Sequence, residues 1–103
     1  MNAFTTAAAG IQAASSRLAN AANNIANMNT PGFRAQEPAQ ADTPAGVQVR
    51  FSPTTTSASN ETSNVDLPNQ MVELITARHS VALNTAVIHS QDSMTQSLLD
   101  ILA

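Results

Sequence analysis

Apolar residues recur along the first thirty residues with the period of a helix. Four large ones are spaced seven residues apart, with alanines between them: Phe4, Ile11, Leu18 and Ile25, and Ala7, Ala14 and Ala21 or Ala22. A seven-residue repeat of this kind is typical of a helix that packs along another helix. The pattern therefore predicts an N-terminal helix over residues 3 to 28 with a helical partner.

The N-terminal helix is followed by a strong stop signal. The Asn29-Thr30-Pro31-Gly32 segment predicts a type II turn. Pro31 presets φ at the second position, and Gly32 supplies the positive φ that the third position requires. The helix cannot continue past this turn.

A second, longer helix is predicted over residues 66 to 101. Asp66 can cap the free N–H groups at its start, and Pro68 is tolerated in the first turn because its missing donor is not needed there. At 100° per residue its apolar positions form two lines on nearly opposite sides. The first consists of Leu67, Met71, Leu74, Val81 and Ile88, and the second of Val87, Met94, Leu98 and Ile101.

Two apolar lines on one helix need two covering surfaces. The N-terminal helix of the same chain can cover only one of them, so we expect neighbouring subunits to cover the other. Two alternatives are that the C-terminal turns fray, and that the chain forms a discrete four-helix homodimer.

The segment between the helices has a different composition. Residues 34 to 64 are rich in proline, threonine and serine, which favour turns and extended chain. Within it, residues 47 to 51 alternate strictly, with Val47, Val49 and Phe51 on one face, which predicts a short strand. The strand could be a lone extended arm or half of a hairpin with residues 54 to 58, and an alternating loop explains the pattern equally well.

Composition argues against several classes of function. Charged residues make up 11% of the 103 residues, the formal net charge is −3, and there is no lysine. The four arginines are scattered and form no basic stripe of the kind that nucleic-acid binding requires. No segment has the roughly 18 apolar residues of a membrane span. The early part of the chain lacks the basic cluster and apolar core of a cleaved secretory signal.

No catalytic or metal centre is expected. His79 and His89 are ten residues apart and point in different directions on a helix, unlike zinc ligands. There is no cysteine, and no serine has a histidine at a spacing that suggests activation. We therefore expect no cofactor and no enzymatic activity.

Three asparagines share one face of the N-terminal helix: Asn20, Asn24 and Asn27. Asparagine is a poor helix former, so amide hydrogen bonds to adjoining helices are one explanation for them. The alternative is that they face solvent and weaken the last turns.

Two segments resemble the bacterial flagellar rod and hook proteins. The first is Ala22-Asn23-Asn24-Ile25-Ala26-Asn27 with Asn29-Thr30-Pro31-Gly32-Phe33, which is similar to the N-terminal signature of that family. The second is Asn64-Val65-Asp66-Leu67 with Met71-Val72, Leu74-Ile75 and Asn84, spaced as in its C-terminal helix. The chain departs from the family pattern at Gln70, His79 and Val81, where an acidic residue, an arginine and an aromatic are usual.

The resemblance implies a fold, partners and a location. In the family both ends form one paired-helix unit, which packs with copies of itself and related rod subunits into a hollow axial tube. Relatives leave the cytoplasm through the flagellar type III export apparatus without a cleaved signal peptide. Relatives also insert β-rich domains in the middle, where this chain has only about thirty residues, which implies a minimal, proximal-rod-like member.

The sequence thus predicts an all-α fold in which two long helices pack as a coiled-coil-like pair, joined by an extended loop with the short strand or hairpin above. Its segments are residues 1–33, 34–64 and 65–103, acting as one structural unit. The predicted function is that of a structural subunit in the periplasmic rod of the basal body. The alternative is a small secreted helical hairpin that binds a partner or serves as an export adaptor. The residues expected to mediate assembly are those of the apolar lines, the asparagine face and the turn.

Overall fold

The computed structural model describes residues 3–54 and 63–103, which form two long helices joined by a β-hairpin. In chain order the elements are α1 (Ala3–Ala26), β1 (Gln36–Thr43), β2 (Gly46–Pro53) and α2 (Leu67–Leu102). The chain is mostly helical, but β1 and β2 pair as a two-stranded antiparallel sheet. The all-α prediction is therefore only roughly correct.

The two helices run antiparallel and differ in length. Asn24, near the end of α1, hydrogen-bonds to Gln70 in the first turn of α2. Gly10, near the start of α1, lies against Asn84 in the middle of α2. At 1.5 Å per residue α1 is about 36 Å long and α2 about 54 Å, which accounts for the elongated shape of 67 × 24 × 14 Å.

Alanines form the centre of the contact between α1 and α2. Ala21 and Ala77 are 0% exposed, and Ala7 and Ala14 are nearly as buried. The large residues of the predicted N-terminal repeat lie beside this alanine line: Ile11 and Ile25 are half-buried, while Phe4 and Leu18 are 39% and 37% exposed. The predicted helix pairing is confirmed, but small residues form its centre, which allows a close approach of the two helices.

The turn after α1 has the positive φ predicted at Gly32, but it begins one residue later than the Asn29-Thr30-Pro31-Gly32 segment. α1 ends at Ala26, two residues earlier than predicted. The N–H of Phe33 donates to the carbonyl of Thr30 at 3.2 Å, and Gly32 has a φ of 73°. Pro31 therefore occupies the second and Gly32 the third position of a turn that spans Thr30 to Phe33.

The predicted strand over residues 47 to 51 is confirmed and is longer than predicted, and it pairs with a strand that the sequence pattern did not indicate. β2 pairs with β1, with Gln40 opposite Val49 and Thr43 opposite Gly46. The alternative of a hairpin with residues 54 to 58 falls on residues 55 to 58, which lie outside the described part of the chain. A two-residue loop joins the strands, and the Thr43 hydroxyl donates to the Gly46 carbonyl at 2.6 Å.

The predicted second helix is confirmed to within one residue at each end. Asp66 is its N-cap, and a carboxylate oxygen accepts from the N–H of Asn69 at 3.4 Å. Pro68 lies in the first turn, where its missing N–H leaves no hydrogen bond unmade.

Candidate assembly surface

α2 carries two lines of large apolar residues. The inner line lies toward α1 and is half-buried: Leu74, Val81 and Ile88. The outer line is 46% to 79% exposed: Val87, Met94 and Ile101. Each line repeats every seven residues, and about 140° around the helix axis separates them. α1 covers one side of α2 and leaves the other side to solvent.

The C-terminal part of α2 extends beyond the start of α1. Asn24 meets Gln70 and Gly10 meets Asn84, and fourteen residues separate these positions on both helices. The same alignment places Ala3, the first residue of α1, beside residue 91. The eleven residues from Asp92 to Leu102, here named the overhang, extend about 16 Å further, and all of them are exposed.

The overhang is rich in large apolar residues. They lie on several sides of the helix, which is typical of a segment buried on all sides in its functional state. Leu98 is 57% exposed, and Leu102 is 84% exposed. The complete set is Met94, Leu98, Leu99, Ile101 and Leu102.

The first two residues of the predicted inner line are not covered by α1. Leu67 and Met71 are 37% and 52% exposed. The helix alignment places Leu67 opposite residue 27, just past the end of α1 at Ala26. Met71 is rotated about 80° from the line of Leu74, Val81 and Ile88. These two residues enlarge the exposed apolar surface at the start of α2.

Asn24 joins three elements through one buried side chain. It is 0% exposed. Its Nδ2 donates to the carbonyl of Gln36 and to Oε1 of Gln70, both at 3.0 Å. Its Oδ1 accepts from the N–H of Gln36 at 3.1 Å. The predicted amide contact with an adjoining helix is present at Asn24, but the strand β1 provides two of its three hydrogen bonds.

The other two asparagines of the predicted face make different contacts. Nδ2 of Asn20 donates to the carbonyl of Gln36 at 3.0 Å. Asn27 bonds within its own turn, donating to the Asn23 carbonyl at 2.9 Å and accepting from the Thr30 hydroxyl at 3.2 Å. Pro31 and Gly32 are exposed at the turn.

The segments before the hairpin and before α2 are bonded to each other. The N–H of Asn64 donates to the carbonyl of Phe33 at 3.2 Å, and its Oδ1 accepts from the N–H of Ala35 at 2.6 Å. The N–H of Thr54 donates to the carbonyl of Ala35 at 2.9 Å. The two segments that resemble rod and hook proteins therefore meet at the base of the hairpin, although about thirty residues separate them in the sequence.

An ion pair connects the middle of α1 to α2. Nε of Arg17 donates to Oε1 of Glu73, and the guanidinium also reaches Oε1 of Gln40 in β1 at 3.1 Å. The sequence reasoning missed this pair. One signal was available, because Arg17 is the single charged residue of α1 and a lone charge in a packed helix needs a partner.

The described residues contain no group of side chains with metal-binding geometry. No three histidine, aspartate or glutamate side chains among residues 3–54 and 63–103 come together as metal ligands. Neither α1 nor α2 combines the length and hydropathy of a membrane-spanning helix. What the molecule offers is an extended apolar surface on a long helix, which suits contact with other protein.

Two family models match the chain. The flagella basal body rod protein family matches residues 2–34. The family described as flagellar basal body rod FlgEFG protein C-terminal matches residues 56–101. No curated protein gives a significant match.

The matches cover α1 with its turn at one end and all but the last residue of α2 at the other. Both families are structural and non-enzymatic, so the expectation that the chain is not an enzyme is confirmed. They also place it in the flagellar basal body. The chain belongs to the flagellar basal-body rod protein family.

Proposed function

We propose that the chain assembles with itself and with related axial subunits into a hollow tube that transmits torque. The observation that carries the proposal is the outer line and the overhang of α2, which stay exposed after α1 has packed. Burial of apolar area contributes roughly 25 cal/mol per Å², so a surface of this length gives a strong drive for association. Coiled-coil-like packing between neighbouring helices is part of the proposal.

We take the outer line of α2 to meet a different surface of the neighbouring subunit, which gives an open assembly. The inner line is occupied by the chain's own α1, so a neighbour must approach α2 from a different side. Contacts between two different surfaces extend into rings or helical arrays, whereas a self-complementary contact closes as a dimer. A tube built by repeated offset packing fits the first case.

The small size of the middle segment supports a position in the proximal rod. The described part between the helices is a single hairpin, β1 and β2, which leaves little mass to project outward. The proposal includes a periplasmic location, delivery by the flagellar type III export apparatus without a cleaved signal, and one structural unit built from both ends of the chain.

Isolation of basal bodies tests this proposal. A tagged chain, expressed in the bacterium that encodes it, should co-purify with intact basal bodies and should be found in the rod by labelling. Deletion of its gene should leave the cells without complete rods and non-motile. Complete basal bodies from the deletion strain would overturn the proposal.

One observation supports the alternative of a self-contained helical hairpin acting as a binding module or export adaptor. α1 and α2 already pair within one chain, joined by the Arg17–Glu73 ion pair and the buried Asn24. A monodisperse dimer at high protein concentration would favour this alternative. Linear polymers would favour the rod subunit.

A further inference from the structure

We propose that Asn24 is the positioning residue that fixes the direction of the β-hairpin relative to the helix pair. We further propose that the subunit needs this fixed direction to fit into the rod. The positioning role of Asn24 concerns the isolated chain and is argued from its contacts alone. The requirement for a fixed hairpin direction in the rod rests on the proposed function.

The hydrogen bonds of Asn24 match what a fixed joint requires. Its amide satisfies both the N–H and the carbonyl of Gln36, the first residue of β1, as a neighbouring strand would. The same Nδ2 also donates to Gln70 of α2. The described contacts thus give Asn24 a link to α1, β1 and α2 at one point.

The joint requires a neutral amide. A carboxylate at position 24 could accept from the Gln36 N–H, but it could not donate to the Gln36 carbonyl or to Gln70. An aliphatic side chain could make none of the three bonds. It would leave the half-buried N–H of Gln36 without this acceptor, and the Gln36 carbonyl would keep only the bond from Asn20.

Two other side-chain hydrogen bonds between α1 and the hairpin fix its direction less firmly than Asn24 does. Asn20 makes a single bond to the Gln36 carbonyl and is half-exposed. The bond from Arg17 to Gln40 is exposed, so water can replace it. Asn24 differs from both in being 0% exposed.

The hairpin has little apolar packing to hold it by other means. A two-stranded sheet is marginally stable by itself. Val47 and Val49 are half-buried against α1, while the alternate residues, Gln48, Arg50 and Ser52, are exposed. Hydrogen bonds of Ala35 with Asn64 and Thr54 also hold the base of the hairpin, and Asn24 is the side chain that ties this base directly to both helices.

Spin labels can measure this orientation, because the chain has no native cysteine. Gln48→Cys on the hairpin and Thr76→Cys on α2 are both exposed positions. In the full chain, the distance between the labels should have a single narrow distribution by pulsed electron resonance. Asn24→Leu, a neutral substitution of similar size, should broaden or shift that distribution while the helix content by circular dichroism is retained.

Asn20→Leu is the matched control, because it removes one bond to the same Gln36 carbonyl from the same helix, and it should leave the distribution narrow. Hydrogen exchange gives a second readout: the Gln36 amide should exchange about tenfold faster in Asn24→Leu. If Asn24→Leu fails to fold, Asn24→Asp keeps only the bond from the Gln36 N–H and should still broaden the distribution. An unchanged distribution in a folded variant of either kind would overturn the positioning role.

Incorporation into rods tests whether the subunit requires a fixed hairpin direction. Asn24→Leu should be absent from purified rods, and Asn20→Leu should be present. Normal incorporation of a chain with a broadened hairpin distribution would overturn the requirement for a fixed direction and leave the positioning role intact. If the unsubstituted chain is absent from rods, the proposed function fails, and the spin-label result is unaffected.

Discussion

Alanine at the centre of the α1–α2 contact determines how closely the helices approach. Ala21 is 0% exposed, and about three turns away Gly10 packs closely on α2, since a Cβ there would lie 2.8 Å from Oδ1 of Asn84 and would displace that side chain. Large residues beside the alanine line, such as Ile11 and Ile25, then seal its edges. The residues at the centre of this contact therefore have to be small.

Ala21→Leu should disrupt the pairing of the helices. The added atoms have no space between α1 and α2, and overpacking of this kind costs about 1 to 3 kcal/mol. Ala19→Leu is the matched control, because Ala19 is exposed on the same helix and leucine is a comparably good helix former. Urea unfolding followed by circular dichroism should show a lower midpoint for Ala21→Leu alone, and equal midpoints would contradict the close contact.

At the level of residues, the sequence indicated which side chains are polar contacts but not their partners. The helical spacing placed Asn20 and Asn24 on one face, and both make hydrogen bonds there. Their common partner, Gln36, is at the start of a strand with no local signal, and Gln70 is 46 residues from Asn24. Long-range pairs leave no periodic trace, so the lone charge of Arg17 indicated the need for a partner but not that the partner is Glu73.

At the level of elements, hydrophobic periodicity predicted the helices and strands that have a periodic pattern. α2 and β2 have strong helical and alternating patterns, and both are present. β1 lacks an alternating apolar pattern and contains Pro38, so sequence patterns argue against a strand. The structure tolerates Pro38 because both strands of a two-stranded sheet are edge strands. An edge strand can contain a residue that lacks an N–H donor.

Within one chain, a charged substitution in the inner line of α2 should be more damaging than one at an exposed position of the same helix. Ile88→Asp places a charge in the half-buried contact with α1, which is costly to desolvate. His89→Asp adds the same side chain one residue later, where it is exposed. Ile88→Asp should abolish incorporation and motility in a swimming assay while His89→Asp is milder. Equal loss from both would show that the α1–α2 contact is not what the subunit depends on.

At the level of the whole molecule, α2 is longer than α1, and α1 therefore does not cover the overhang. The sequence predicted two lines on α2 and the need for a second covering surface. It did not give the alignment of the helices, which depends on contacts such as Gly10 with Asn84. That alignment determines where α1 stops covering α2.

The isolated monomer should therefore be only partly helical. Short helices without tertiary cover are marginal in water, so the overhang should be the least stable part of α2. Hydrogen exchange on dilute protein should show rapid exchange of backbone amides from Asp92 to Leu102 and slower exchange around Ala77. Uniform protection along α2 with one cooperative melting transition in a monomer would contradict the need for neighbours.

Crosslinking from position 98 tests the central claim most directly. A short-reach photocrosslinker in place of Leu98 lies about 10 Å past the start of α1 by the helix alignment, and one in place of Val81 lies opposite α1. In assembled rods, position 98 should form mainly intersubunit pairs, and position 81 should crosslink within its own chain to α1. Crosslinks from position 98 only to residues 4–18 of the same chain would contradict assembly through the overhang.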